Sequence, residues 1–121
     1  MTYQEWVDIL TREFNGIRFP ILILSKGFPN GAESIEEFAM DMDLHFYQYE
    51  QGITFIDSKG DQFNWRYDKK ERSNLPGDKL RTLSLEDFKS LVKNRYPKLK
   101  SDVYMAELLF SEAILRIDEA S

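Results

Sequence analysis

The sequence predicts a single α+β domain, residues 1–121, with helices packed on one face of an antiparallel meander sheet. Three observations support this fold class. Apolar residues recur at helical spacing near both ends of the chain, and short alternating segments in its middle are typical of strands. The length of 121 residues suits one domain. The expected order of elements is α-β-α-β-β-β-α-α.

The first two predicted elements are a helix and a buried strand. Thr2 and Glu5 have the spacing of a capping box, and apolar residues at helical spacing follow, which predicts a helix over residues 3–14. The apolar run over residues 18–25 is short for a helix and predicts a strand that is buried on both faces. Residues 26–32 contain two glycines and a proline and are expected to form a loop.

A second helix and a three-stranded meander follow in the prediction. Ser34 and Glu37 have the spacing of another capping box, ahead of apolar residues spaced three and four apart. Strands are expected over residues 44–50, 53–57 and 62–67, because apolar and polar side chains alternate there and glycine-containing turns separate the segments.

The last part of the chain is predicted to hold a polar connection and two helices. Residues 68–81 are rich in charged residues and are expected to form a long surface connection. A third helix is expected to begin at Ser84 and to end near Pro97. A fourth helix is expected to run from Ser101 to about Asp118.

The composition excludes several classes of site. The chain has no cysteine, which excludes disulfides, thiolate zinc sites and cysteine nucleophiles. It has one histidine and lacks the glycine motifs that bind phosphates or dinucleotides. Its first residues lack the apolar region of a signal peptide, and its longest apolar run is too short to span a membrane. We therefore expect a cytoplasmic protein that has no cofactor and is not an enzyme.

Charge is sorted along the chain, although the net charge is only −5. Residues 1–58 carry 3 basic and 10 acidic side chains, whereas residues 59–100 carry 12 basic and 6 acidic ones. Acidic residues on and around the second predicted helix suit a surface that attracts a basic protein partner. The other interpretation is a solvated helix face whose carboxylates interact with the helix dipole. The predicted partner-binding residues are Glu33, Glu36, Glu37, Asp41, Asp43, Tyr47 and Tyr49.

Two further interpretations of polar residues are weaker. The basic segment, with aromatic residues such as Trp65 and Tyr67 for base stacking, suggests nucleic-acid binding, but the pI near 4.9 and the lack of a known motif argue against it. Asp41, Asp43 and His45 have the spacing that places three metal ligands on one face of a strand. The predicted second helix runs through the first of them, so no metal site is assigned.

The last predicted helix is apolar over much of its circumference. One row of apolar side chains is sufficient to dock the helix on the sheet. A second row, Tyr104, Leu108 and Leu115, predicts a seam for a homodimer or another partner. The alternative is that the third helix covers this row within the monomer.

In general character, as a small, acidic, cysteine-free α+β domain without active-site residues, the chain is similar to the bacterial immunity proteins of toxin–immunity pairs. The resemblance is one of kind and rests on no specific motif. It implies a stoichiometric inhibitor whose acidic surface covers a basic toxin. The sequence thus predicts a non-catalytic protein-binding domain, and the alternatives are a structural homodimerising domain or a small metal-dependent hydrolase.

Overall fold

The computed structural model describes residues 2–41, 52–99 and 110–120. These residues form four helices and one antiparallel sheet of five strands, so the α+β class is confirmed. The helices are α1 (Tyr3–Glu13), α2 (Ile35–Met40), α3 (Leu85–Arg95) and α4 (Phe110–Ala120). The strands are β1 (Ile21–Leu24), β2 (Asn30–Ala32), β3 (Thr54–Ile56), β4 (Asp61–Asp68) and β5 (Ser73–Thr82).

The order of strands in the sheet is β2-β1-β3-β4-β5, and each neighbouring pair is antiparallel. β3, β4 and β5 form a meander, in which Phe55 lies opposite Phe63 and Trp65 lies opposite Pro76. β3 and β4 correspond to the second and third strands of the predicted meander, residues 53–57 and 62–67. The first strand of that meander, residues 44–50, lies outside the described residues.

The prediction of a surface connection over residues 68–81 is wrong, because most of this segment forms β5. The Asp68 carboxylate accepts hydrogen bonds from the backbone N–H groups of Lys70 (2.9 Å) and Glu71 (3.2 Å), which reverses the chain directly after β4. The polar residues that follow pair with β4 along its length. Pairing across this hairpin overrides the low strand propensity of a segment that contains Pro76.

The predicted loop over residues 26–32 is also wrong at its end, where the chain forms β2. This three-residue strand pairs with β1, with Ala32 opposite Ile21 and Asn30 opposite Ile23. The segment Asn-Gly-Ala has no apolar alternation and little strand propensity. Its extended backbone therefore follows from pairing with β1 rather than from local preference.

Side chains of β1 point alternately into two hydrophobic clusters. Ile21 and Ile23 belong to a cluster with α1 and α2, whereas Leu22 and Leu24 belong to a cluster with α3 and α4. All four side chains are fully buried, which confirms the prediction of a strand buried on both faces. As expected, α1 and α2 pack on one face of the sheet. α3 and α4 contact the side chains that point the other way.

Three of the helices begin where the sequence predicts. The side-chain oxygens of Thr2, Ser34 and Ser84 each accept a hydrogen bond from the backbone N–H three residues further on, at 3.1 Å. Each bond satisfies one of the backbone donors that the first turn of a helix leaves without an intrahelical acceptor. These caps fix the first residues of α1, α2 and α3.

Candidate functional site

The candidate site is built on α2, whose inward side is held by aromatic packing. The Phe38 ring stacks on Trp65 with centroids 5.8 Å apart and meets the ring of Phe14, the residue that follows α1, edge-on at 5.2 Å. The centroid of the Trp65 ring also lies 4.4 Å from the ring centroid of Phe55 on β3. Because α2 is fixed from below by these rings, its outward side chains have a defined position relative to the sheet.

The outward side of α2 carries the acidic residues predicted from the sequence. Glu33, Glu36, Glu37 and Asp41 are all exposed. Asp43, Tyr47 and Tyr49, which the prediction also included, lie outside the described residues. We refer to Glu33, Glu36, Glu37, Met40 and Asp41 as the α2 surface.

Glu37 has a structural role within the α2 surface. Its carboxylate accepts a hydrogen bond from the backbone N–H of Glu33 at 3.1 Å, and its own N–H donates to Ser34 Oγ. Together these bonds form a variant of the capping box, with the carboxylate reaching one residue beyond the N-cap. A substitution of Glu37 would therefore change helix stability as well as surface charge, so it is a poor probe of binding.

Met40 is a member of the α2 surface that the sequence pattern does not predict. Its side chain is 74% exposed, although Phe38 and Ala39 beside it are buried. A thioether side chain is flexible and apolar, and such side chains adapt well to contact with a partner surface. The sequence signal for the exposure of Met40 is its position, because this residue lies outside the apolar stripe of the second predicted helix.

The charge segregation along the sequence becomes a segregation between helices. α1, which contacts α2, carries three acidic residues and one basic residue, and residues 33–41 carry four acidic and no basic residues. In the other cluster, α3 carries three basic and two acidic residues, and α4 carries one basic and three acidic residues. The net charge is therefore −6 over α1 and residues 33–41, compared with −1 over α3 and α4 together.

The structure provides little support for nucleic-acid binding by the basic segment. Several of its cations are engaged within the domain: Arg66 Nη2 lies 2.8 Å from Glu13 Oε2, and Arg81 Nε donates to Gln62 at 2.7 Å. Trp65, one of the proposed stacking residues, packs against phenylalanine rings of the first cluster. A base would have to displace these contacts to stack on it.

The seam predicted on the last helix is described in part. Ala113, Ile114 and Ile117 of α4 are fully buried in the second cluster, so the described part of this helix docks through these side chains. Leu115 is partly buried, whereas Tyr104 and Leu108 lie outside the described residues. The use of this second row by a dimer stays a prediction.

The metal-site alternative is likewise described in part. Asp41 is exposed at the end of α2, but Asp43 and His45 lie outside the described residues. Elsewhere in the described chain, no three acidic or histidine side chains are grouped as metal ligands. In the same residues, no helix has the length and apolar character that crossing a membrane requires.

A cleft of about 330 Å³ lies apart from the α2 surface, where the end of α1, the β3–β4 turn and β5 meet. Asp61 is nearly buried in it, and the ammonium groups of Lys59 and Lys79 lie 3.6 Å and 3.7 Å from its carboxylate oxygens. The Thr82 hydroxyl donates to Asp61 Oδ1 at 2.6 Å and is the main reason that the pKa of this carboxyl is lowered. Burial opposes this shift, and the two lysines reinforce it.

Asp61 should make the stability of the domain depend on pH in the acid range. Because its pKa is lower in the folded chain, ionised Asp61 stabilises the fold above the ordinary aspartate pKa of about 3.9, and this stabilisation is lost as the pH falls through the folded-state value. We expect the difference in unfolding free energy between the native chain and Asp61→Asn to shrink in urea titrations as the pH falls through and below the ordinary aspartate pKa. Thr82→Val should weaken the same dependence. A difference that is constant with pH would contradict this prediction.

The chain was compared with models of protein families, with curated proteins and with solved structures, and no significant match was found in any of the three.

Proposed function

We propose that this chain is a non-catalytic protein-binding domain that recognises a basic partner through the α2 surface. The observation that carries the proposal is the exposed side chain of Met40 among exposed carboxylates, on a helix whose opposite side is fixed in the core. Such an arrangement offers an apolar contact surrounded by charge, which is the usual organisation of an interface.

The two kinds of side chain in the α2 surface contribute differently to binding. Carboxylates near the edge of an interface accelerate association with a basic partner and select against acidic ones, more than they add affinity. Burial of Met40 against the partner supplies apolar contact, worth about 1.5–3 kcal/mol for a fully buried side chain. The proposal therefore predicts binding that weakens at high salt without being abolished by the loss of charge alone.

Charge reversal on α2 tests this proposal. The double variant Glu33→Lys, Glu36→Lys is expected to slow association with a basic partner by about ten- to a hundredfold, because the attractive field becomes repulsive. The tagged chain would be used to capture partners from its native host, and the native and variant forms would be compared by quantitative mass spectrometry. We expect one stoichiometric basic protein that the native chain captures in much larger amount than the double variant does.

A matched control is available on the opposite side of the sheet. Glu36 and Glu86 are both exposed and both occupy the second residue of a helix capped by serine, so charge reversal costs the two helices a similar dipole interaction. Glu86→Lys should leave capture unchanged. Met40→Ala should weaken capture without altering its dependence on salt. Equal capture by the double variant and by Glu86→Lys would show that α2 does not bind the partner.

We further propose that the partner is a bacterial toxin and that the domain acts in the cytoplasm as its immunity protein. The acidic helices α1 and α2 support this, since an inhibitor of a basic enzyme needs a surface of opposite charge rather than catalytic groups of its own. Expression of the captured partner alone and together with this chain tests it. Growth arrest that only co-expression of the native chain relieves is the expected result, whereas a harmless partner would indicate an adaptor.

A further inference from the structure

Two asparagines of the chain directly precede a glycine, and the structure places these two pairs in different surroundings. Asn15 and Gly16 lie in the turn that follows α1, where both residues are exposed. Asn30 and Gly31 belong to β2, where both pair with residues of β1. The first pair is therefore at the surface outside any helix or strand, whereas the second is held in the sheet.

An asparagine that precedes a glycine is chemically reactive without any catalyst. The backbone nitrogen of the glycine attacks the side-chain carbonyl carbon, a new C–N bond closes a cyclic imide, and ammonia leaves with the proton of that nitrogen. Water then opens the imide at either carbonyl and gives aspartate or isoaspartate. Glycine favours the attack because it has no Cβ atom and its backbone is permissive. The asparagine backbone must rotate for the ring to close, so pairing that fixes the backbone suppresses the reaction.

The turn after α1 leaves the attacking nitrogen open. The backbone N–H of Ile17 closes the turn by donating to the carbonyl oxygen of Phe14 at 3.0 Å, and Lys59 donates to the carbonyl oxygen of Gly16. Within the described residues, the nitrogen of Gly16 itself donates no hydrogen bond. The space beside this glycine is also open, because a Cβ atom there would meet nothing within 4 Å. The imide ring can therefore form at Asn15 without a steric clash on the glycine side.

We propose that Asn15 is a site of spontaneous deamidation in the folded chain and that the sheet protects Asn30 from the same reaction. Rotation at Asn15 needs only local motion of an exposed turn, whereas rotation at Asn30 first requires β2 to separate from β1. An opening that costs about 1.4 kcal/mol already lowers a rate tenfold. Asn15 should therefore convert at least about tenfold faster than Asn30. This inference is independent of the proposed partner.

The product changes the charge of the cleft that lies beside the β3–β4 turn. Asn15 is part of the described lining of this cleft, in which two carboxylates and two lysines balance one another. The new carboxylate adds one negative charge directly after α1, where the helix dipole disfavours it. Isoaspartate also carries the main chain through the side-chain carbon, which lengthens the turn between α1 and β1. Deamidation thus alters a surface that is separate from α2.

Incubation of the purified chain at mildly alkaline pH, followed by digestion and mass spectrometry of the peptides, measures conversion at both asparagines. In the folded chain, we expect conversion at Asn15 to be at least about tenfold faster than at Asn30. In urea, where the sheet is absent, the two rates should become similar, because glycine follows both asparagines. The native chain thus supplies its own matched control.

Asn15→Gln provides a second test, because glutamine retains an exposed amide but would have to close a larger ring, which forms more slowly. Isoelectric focusing should show a new acidic form that accumulates in the native chain and in Asn30→Gln but not in Asn15→Gln. Equal rates at the two asparagines in the folded chain, or no conversion at Asn15, would overturn the proposal. An excess at Asn15 that persisted unchanged in urea would also overturn it, since the sequence rather than the structure would then decide the rates.

Discussion

Asp57→Ala is expected to lower the free energy of unfolding by about 4 kcal/mol, the largest effect anticipated for a single polar substitution in this chain. The Asp57 side chain is fully buried in the turn between β3 and β4. Its carboxylate accepts hydrogen bonds from the backbone N–H groups of Arg18 (3.1 Å), Lys59 (2.9 Å) and Asp61 (3.0 Å). Alanine would leave these donors without this acceptor in a region that water reaches poorly.

The same carboxylate connects two distant parts of the chain. The bond from Arg18 joins the turn to the segment before β1, and the neighbouring Ser58 hydroxyl donates to the carbonyl oxygen of Pro20 at 2.8 Å. Urea unfolding of the native chain and of Asp57→Ala measures the effect. Asp57→Asn serves as the control, because it retains one side-chain oxygen acceptor and should lose roughly half as much. If the alanine variant lost less than about 1 kcal/mol of unfolding free energy, the hydrogen bonds of Asp57 would contribute little to stability.

Gly60→Ala is expected to destabilise the fold by about 3 kcal/mol, because two separate costs add. Gly60 has a φ of +87°, in the left-handed region that is unfavourable for residues with a Cβ atom. A Cβ atom there would also lie 2.6 Å from the carbonyl oxygen of Leu83 and 2.7 Å from Cζ of Phe110. The carbonyl belongs to the backbone just before α3, so it cannot move aside without disturbing that helix.

Gly27→Ala separates the two costs. Gly27 has almost the same φ, +85°, but a Cβ atom at this position would meet no atom within 4 Å. This variant should therefore lose only the backbone cost, about 1 kcal/mol. Thermal unfolding of both variants beside the native chain gives the comparison. If both glycines proved equally replaceable, the close approach of α3 and α4 to the β3–β4 turn would be wrong.

The sequence was a good guide where local chemistry decides the structure. Ser34 and Ser84 carry the N-cap signal by themselves, and both begin helices. The run of apolar residues from Ile21 to Leu24 shows burial on both faces, which the structure confirms. In these cases the signal that predicts the structure lies within a few consecutive residues.

The sequence was a poor guide where pairing between distant residues decides. β5 is polar and contains Pro76, and it is a strand only because the turn at Asp68 returns the chain alongside β4. The cleft escaped prediction for the same reason, since only the register of β4 and β5 brings Lys79 to Asp61. Met40 was missed for a different reason. Helical periodicity shows which residues face the core, but it does not show the role of an apolar residue outside the core-facing stripe of α2.

Hydrogen exchange, with and without the captured partner, is the measurement that tests the binding proposal most directly. α2 is a short helix with exposed carboxylates along one side, so its amides should exchange readily in the free chain. The proposal predicts that a stoichiometric basic partner slows exchange over residues 33–41 and leaves α3 unchanged. Protection confined to α3 or α4, with no change over residues 33–41, would contradict the proposal and place the interface on the other side of the sheet.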